Sequence, residues 1–331
     1  MSKEQTPLGV TFGSLTALGP AAVVDIARLS EKLGYRSLWT IEATGTDALT
    51  LLGATAVTAP SLDLATGIVP IQVRTPVLTA MSAATLQGLN PGVDLWLGLG
   101  VSAPGVLRPH GVEATDRPIA MMREYVALLR ECLSGESVTF EGDFWQVKRF
   151  RLGVRLGERR PKIVLAALNP QMLRLAGEIA DGVLLNYIPV SHVPASIEQV
   201  RKGGDSRIFA YVHACVGELE KRAHSARRDL MGYAMADGYA NMFRSAGFAD
   251  EVNLMRERHA ARDRDGALEA VSERMIQAID FVGSADEVAA FVRSYVDAGV
   301  THPVLMPMPW GEDRFAVTES TMRAAAAGVG L

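Results

Sequence analysis

The chain has 331 residues, which is long for one domain but suits an α/β barrel, a fold of about 250 residues that often carries insertions. Hydrophobic residues make up 48% of the chain and charged residues 21%, a balance typical of a protein with a large core. The formal net charge is -4 and no block of basic residues occurs, so we expect no nucleic-acid partner.

The two cysteines, Cys132 and Cys215, are too few and too isolated for a disulfide framework or a thiolate metal site. We expect both to be buried thiols in a reducing cytoplasm. The sequence has no apolar segment of the roughly 18 residues needed to cross a membrane, and its N-terminus lacks a signal-peptide pattern. These features predict a soluble, cytoplasmic protein without a membrane partner.

Eight β-prone segments alternate with helical patterns along the chain. The predicted strands cover residues 8–13, 37–41, 62–68, 93–100, 162–168, 183–187, 207–216 and 302–308. Residues 93–100, VDLWLGLG, are nearly all apolar, as expected of a strand that is covered on both faces. Regular alternation of strands and helices favours an α/β fold of the TIM (β/α)8 barrel type over a doubly wound sheet.

Two segments interrupt this alternation. Residues 138–147 alternate around Glu141 and Gly142 and predict a small hairpin insertion. Residues 217–274 contain several short helical patterns rich in Arg, Ala and Met, which we interpret as a helical insertion over the barrel mouth. No repeat or long linker divides the chain, so residues 1–331 are predicted to form a single domain.

Active sites of such barrels lie at the C-terminal ends of the strands. The predicted strand ends therefore nominate Gly13, Glu42, Gly67, Ser102, Asn169, Asn186, His213 and Pro307 as lining residues. Gly67 can bring the backbone close to a flat ligand, or it can simply make a tight turn, and the residues alone leave both interpretations open. Arg74 adds a positive charge beside the same rim.

The sequence lacks the common hydrolytic motifs. Six histidines, at positions 110, 192, 213, 224, 259 and 302, form neither His-x-His nor His-Glu-x-x-His, so no metal site is predicted. Gly-x-Ser-x-Gly, the motif around a serine nucleophile, is also absent. Of the histidines, His110 falls in a loop, and His213 falls in an apolar run typical of a buried core histidine.

Residues 168–172 place backbone N–H groups at the start of a helix, directly after a strand, where an anion such as a phosphate can bind. Asn169 and Pro170 are equally compatible with a helix cap and first helical residue. Glu42 can act as a base or orient a ligand, or it can be a solvated rim carboxylate. The run at 306–310, MPMPW, can wall an aromatic ligand or pack in the core.

Four stretches, taken in order, resemble the luciferase-like flavin monooxygenase superfamily, and within it the branch of deazaflavin (coenzyme F420) dependent oxidoreductases. The resemblance extends over residues 8–308 and rests on the order and spacing of the stretches. They are LGYRSLWTIEATGTDALTLLGATAVTAPSLDLATGIVPIQVRTP, LWLGLGVS, IVLAALNPQMLRLAGEIADGVLLNY and FVGSADEVAAFVRSYVDAGVTHPVL.

This resemblance implies a TIM barrel that holds a deazaflavin, or alternatively FMN, by its phosphate and its ring, and it implies a homodimer. It places a non-prolyl cis peptide between Gly67 and Ile68, against the ring. It further implies that the acidic residue after the second strand is Glu42, which we take as the candidate catalytic residue. The implied cofactor-binding residues are Gly67, Ile68, Val69, Ser102, Ala167, Leu168, Asn169, Pro170, Gln171 and Met172.

The chain departs from the family pattern at two places. Glu42-Ala43 stands where members often carry Asp-His, and Ser102-Ala103 stands where some carry an acidic residue. The resulting hypothesis is an oxidoreductase that transfers a hydride between C5 of a deazaflavin and a small organic substrate. The alternatives are an FMN-dependent monooxygenase and a cofactor-binding barrel without turnover.

Overall fold

Eight parallel strands close into a barrel in this protein, for which a computed structural model describes residues 6–331. The strands of the described chain are β1 (Gly9–Thr11), β2 (Ser37–Thr40), β3 (Asp63–Thr66), β4 (Val69–Pro70), β5 (Leu95–Gly100), β6 (Ser137–Glu141), β7 (Gln146–Arg151), β8 (Lys162–Ala166), β9 (Gly182–Leu185), β10 (Arg207–Val216), β11 (Asp280–Gly283) and β12 (His302–Pro307). The barrel order is β1-β2-β3-β5-β8-β9-β10-β12, and β12 pairs with β1 to close it. The predicted TIM barrel is confirmed.

Helices cover the outside of the barrel and one of its ends. The α-helices are α1 (Ala22–Lys32), α2 (Ala48–Thr58), α3 (Pro76–Leu89), α4 (Pro104–Leu107), α5 (Pro118–Cys132), α6 (Pro170–Ile179), α7 (Val193–Arg201), α8 (Leu219–Ala234), α9 (Asp237–Phe243), α10 (Ala249–Ala260), α11 (Arg264–Glu269), α12 (Glu273–Ile279), α13 (Ala285–Asp297) and α14 (Arg314–Gly328). Among the described residues, none of the helices is long and apolar enough to cross a membrane.

The barrel interior is filled by aromatic rings from three strands. Trp39 and Trp96 each meet Phe209 edge to face, with ring centroids 5.0 Å apart, and Trp39 meets Tyr211 in the same way at 6.1 Å. Phe209 and Tyr211 are two residues apart on β10, and such residues point to the same face of a strand. His213, two residues further on, therefore continues the inward-facing row towards the barrel mouth.

Strand β10 is longer than the barrel requires, and two different strands pair with its two halves on one side. Residues Arg207 to Ala210 pair with β9, and residues His213 to Val216 pair with β11. The predicted strands did not include residues 280–283, which add a parallel strand to β10. A capping box formed by Ser284 and Glu287 begins α13.

Two insertions lie outside the alternation. Strands β6 and β7 form an antiparallel pair on the α5 side, with an irregular register between Val138 and Phe140. Helices α8 to α12, residues 219–279, fill the chain between β10 and β11, and we call this segment the roof. It begins at the C-terminal end of a barrel strand, which places it over the mouth.

Candidate active site at the barrel mouth

The chain leaves β3 through a cis peptide bond between Gly67 and Ile68, as predicted. We call this pair the Gly67–Ile68 bulge. Three hydrogen bonds hold it: the Gly67 N–H donates to the Thr40 carbonyl at 2.8 Å, the Glu42 N–H donates to the Ile68 carbonyl at 3.0 Å, and the Tyr211 hydroxyl donates to the Gly67 carbonyl at 2.9 Å. The bulge is thus braced from β2 on one side and from inside the barrel on the other.

Two glycines are required because the bulge and its neighbours lie so close together. A Cβ at Gly67 would collide with the Tyr211 hydroxyl, and a Cβ at Gly100 would lie 2.9 Å from the Cδ1 of Ile68. The glycine-rich end of β5 therefore receives the Ile68 side chain. Ile68 itself is half-buried and packs on the aromatic cluster of the barrel interior. Its apolar side chain covers that cluster at the mouth.

Glu42 is engaged by an arginine at the mouth. The Arg74 Nε and Nη2 atoms lie 2.7 and 2.9 Å from the two carboxylate oxygens, and the side chains are only 15% and 8% exposed. Arg74 also pairs with Asp47, whose side chain is more exposed. Hydrogen bonding to Glu42 raises the pKa of Arg74 further. The rim charge predicted at Arg74 is present but neutralised, and Glu42 presents its carboxylate to Arg74.

Helix α6 begins at Pro170 with Asn169 at the N-cap position, as predicted, but the Asn169 side chain makes no capping hydrogen bond. The Asn169 amide instead donates to the Gly238 carbonyl in the roof, at 3.2 Å. First-turn N–H groups have no acceptor within their own helix, and here these belong to Gln171 and Met172. Because Pro170 lacks an N–H and Asn169 is turned away, these two donors are the part of the predicted phosphate contact that the geometry supports.

The other predicted cofactor residues have varied surroundings. Ala167 is buried and its N–H donates to the Leu184 carbonyl at 3.2 Å, whereas Leu168 is half-buried against the core. Val69 is fully buried and pairs with β5, so only its backbone is near the mouth. Ser102 is half-buried in the loop between β5 and α4.

A histidine from the rim loop at 101–117 reaches the segment after β2. The Nε2 atom of His110 lies 2.6 Å from the Ala43 carbonyl oxygen. A carbonyl oxygen can only accept, so Nε2 carries the proton. The sequence treated His110 as a loop residue and Ala43 as the place of a missing histidine. The structure brings His110 and Ala43 together. No local sequence pattern indicates this contact, because the two residues are 67 positions apart.

Polar residues from the roof extend the site on the β9 and β10 side. The His213 Nε2 atom lies 3.0 Å from the Asn186 Oδ1 atom, and the Asn186 amide donates to the Tyr239 hydroxyl at 2.9 Å. Burial lowers the pKa of His213 to about 4, which keeps the ring neutral. Strand ends predicted Asn186 and His213. Tyr239 comes from the helical insertion, where no sequence signal singled it out.

The mouth thus combines an apolar surface at Ile68, N–H donors at α6 and residues of the roof, an arrangement typical of an α/β-barrel enzyme. A sequence profile described as luciferase-like monooxygenase matches residues 7–302. The chain belongs to the luciferase-like monooxygenase family, and it is an enzyme.

Known relatives agree over almost the full length. The chain is 25% identical to a 5,10-methylenetetrahydromethanopterin reductase of Methanolobus tindarius, over 85% of this chain and 89% of the relative. It is 26% identical to a coenzyme F420-dependent oxidoreductase of Mycobacterium tuberculosis, over 90% and 94%. The coenzyme F420-dependent tetrahydromethanopterin reductase from Methanopyrus kandleri shares the fold, with a TM-score of 0.79 and 20% identity over 98% of each chain.

Proposed function

We propose that the protein is an oxidoreductase that transfers a hydride between a bound deazaflavin, coenzyme F420, and a small organic substrate. The observation that supports this most strongly is the placement of the Gly67–Ile68 bulge and the α6 N-terminus. The bulge follows β3 and α6 follows β8, and β5 lies between these parallel strands. Both features therefore lie on one mouth, as a ligand with a flat ring and a phosphate requires.

The residues of the mouth divide the work of binding. The N–H groups of Gln171 and Met172 would hold the phosphate, because a helix N-terminus carries about half a positive charge. The side chain of Ile68 would support the ring. The deazaflavin supplies hydride chemistry at its ring carbon C5, while the protein positions the reactants and excludes water. The names of the relatives support this cofactor, and they leave the substrate open.

Glu42 enters this proposal as a positioning residue. Its N–H holds the Ile68 carbonyl and its carboxylate holds Arg74, so one residue connects the bulge to the rim. Two nitrogens of Arg74 already occupy its carboxylate oxygens. The group we propose for exchanging protons with a substrate is the Nδ1 atom of His110, because the Nε2 proton is held by the Ala43 carbonyl.

Binding of the two cofactor types tests the proposal directly. We expect the purified protein to change the ring fluorescence of coenzyme F420 and not that of FMN. Gln171→Glu adds a carboxylate to the first turn of α6, where it favours the helix but repels a phosphate, so affinity should fall by about tenfold or more. Ala195→Glu is the matched control, because it adds the same charge to the exposed first turn of α7.

Each other result has a definite meaning. Binding of FMN alone would favour a monooxygenase, and binding of coenzyme F420 without turnover of any reductant or acceptor would favour a cofactor-binding barrel. Failure to bind either cofactor would refute the proposed function. Equal losses of cofactor affinity in Gln171→Glu and Ala195→Glu would contradict the assignment of the phosphate to α6, but not the assignment of the cofactor to the mouth.

We also propose that the protein is a homodimer that associates through α2 and α3. These neighbouring helices contain no charged residue, and they expose Val57, Leu78, Met81 and Leu89 at 69%, 44%, 47% and 52%. Exposed apolar side chains grouped on two neighbouring uncharged helices favour this face as the interface. Sedimentation should give a dimer for the wild type and a monomer for the double variant Leu78→Glu/Met81→Glu. Leu254→Glu, on the exposed face of α10, should leave the dimer intact.

A further inference from the structure

Three ionisable side chains from three separate elements meet beneath the roof. His213 lies on β10, Asp280 lies opposite it on β11, and Asp229 comes from α8. One ligand atom from each lies within 4.8 Å of the others. His213 is 1% exposed and Asp280 is fully buried. We call these three residues the β10–roof cluster.

The hydrogen bonds around His213 determine which ring nitrogen is free. The Asn186 amide nitrogen donates to Tyr239, so the amide oxygen faces the His213 Nε2 atom and accepts a hydrogen bond from it. In the neutral ring the proton is then on Nε2, and Nδ1 presents a lone pair. That lone pair has no hydrogen-bond donor among the described residues, and it lies 3.1 Å from the Asp280 Oδ1 atom.

The two carboxyl groups are also arranged as acceptors. Within residues 6–331, Asp280 has no hydrogen-bond partner outside the cluster, where it faces Asp229 and the His213 Nδ1 atom. Asp229 also accepts from the Tyr187 hydroxyl at 2.7 Å. No lysine or arginine of the described chain forms an ion pair with either carboxylate. Burial without a partner is costly for an anion, so this cluster favours either a cation between its three members or a proton shared among them.

We infer that the β10–roof cluster is a divalent metal site, with His213 Nδ1, Asp229 and Asp280 as its protein ligands. Two carboxylates balance the charge of such a cation, and one imidazole with two carboxylates favours a first-row transition ion such as Zn²⁺ or Mn²⁺. The surroundings match those of metal ligands, since the second nitrogen of a ligating histidine is normally held by an acceptor. Here Asn186 holds it, and Tyr187 holds Asp229.

The site would join the roof to the barrel. Asp229 is the ligand that the roof provides, while His213 and Asp280 lie on the paired strands β10 and β11. A bound ion would therefore hold α8 against these two strands. Asn186 and Tyr239, which orient His213, connect the same site to the mouth. The assignment is independent of the proposed cofactor, because no ligand is shared with the bulge or with α6.

Metal content and thermal stability test this inference. Protein stripped with a chelator should bind about one equivalent of Zn²⁺ or Mn²⁺, measured by elemental analysis after desalting, and each metal alone should raise the Tm by several degrees. Asp280→Asn keeps the shape but should abolish both the bound metal and the Tm increase. Asp63→Asn, at a buried carboxylate paired with Arg36 on the opposite end of the barrel, should retain both.

A shared proton is the competing explanation of the cluster. In that case the stripped wild type would bind no stoichiometric metal and show no Tm increase, and Asp280→Asn would be as stable as the wild type. Either result for the wild type overturns the inference without any variant. If Asp280→Asn fails to fold, Asp229→Asn repeats the test from the roof side.

Discussion

His110 donates a hydrogen bond from Nε2 to the carbonyl oxygen of Ala43 over 2.6 Å, so the loop after β5 is attached to the loop after β2. Without this bond, His110→Ala should loosen residues 101–117. One hydrogen bond contributes about 1 kcal/mol, which corresponds to roughly fivefold faster amide exchange in that loop. His110→Gln retains an N–H donor and should restore much of the protection. Unchanged exchange in both variants would mean that the contact does not order the loop.

The paired groups Glu42 and Arg74 make a second prediction. Glu42→Gln keeps the shape but removes the charge that Arg74 contacts with two nitrogens, and both side chains are largely buried. We expect a loss of about 1–3 kcal/mol in the free energy of unfolding, measured by denaturant titration. Asp47→Asn removes the more exposed partner and should cost less than about 1 kcal/mol. Equal effects of the two substitutions would contradict this ranking.

Gly67 and Tyr211 should show energetic coupling. Gly67→Ala places a methyl group against the Tyr211 hydroxyl and should destabilise the protein by about 1–3 kcal/mol, the usual cost of overpacking. Tyr211→Phe removes the hydroxyl and its hydrogen bond, at about 1 kcal/mol. The double variant should lose less than the sum, because removing the hydroxyl relieves the shortest contact of the methyl group, although the ring carbon Cζ at 2.8 Å must still shift. Strict additivity in the double-mutant cycle would show that the hydroxyl is not the obstacle.

His302 predicts acid sensitivity. The Trp39 indole donates to the Ser37 hydroxyl at 2.8 Å, and the same hydroxyl oxygen lies 3.0 Å from the His302 Nε2 atom. Burial lowers the pKa of His302 well below its usual value. The imidazole of His302 therefore binds a proton near pH 6.5 in the unfolded chain but stays neutral there in the folded chain. The free energy of unfolding then falls as the pH drops below about 6.5.

The measurement for His302 is the pH dependence of stability. Between about pH 7 and pH 5 the wild type should lose up to about 1.4 kcal/mol per pH unit from this group, and His302→Gln should show a shallower slope. His224→Gln replaces an exposed histidine and should keep the wild-type slope. A steep slope in His302→Gln would assign the acid sensitivity to other groups.

The fold was predictable because its signals are local. Apolar runs such as 93–100 identify buried strands, and Pro170 identifies the start of α6 within a single turn of sequence. The family resemblance correctly located the cis bond at Gly67. These features depend on neighbours in the chain, or on spacing that survives in relatives, so they can be read without knowing which strands meet in space.

The contacts within the mouth were not predictable, because they join distant parts of the chain. Arg74 was correctly placed at the rim. Its pairing with Glu42 could not be predicted, because the two residues are 32 positions apart in the sequence and only the fold brings them together. Asn169 matched a helix cap by sequence, but the roof supplies a competing acceptor at Gly238. His213, Asp229 and Asp280 form no metal-binding motif in the sequence, because each of the three residues comes from a different element: a barrel strand, an inserted helix and an added strand.

Strand β10 pairs with β9 along its first half and with β11 along its second half, and this has a consequence for how the enzyme can diversify. The roof leaves the barrel after Val216 and returns at Asp280, which lies beside His213, so its two ends are separated by only about 10 Å along the same strand. A segment with such closely spaced ends can be replaced as a unit without moving the strands on either side of it. Its length and composition can change while the wall formed by β3, β5 and α6 stays the same, so the cover of the mouth can vary without rebuilding the barrel.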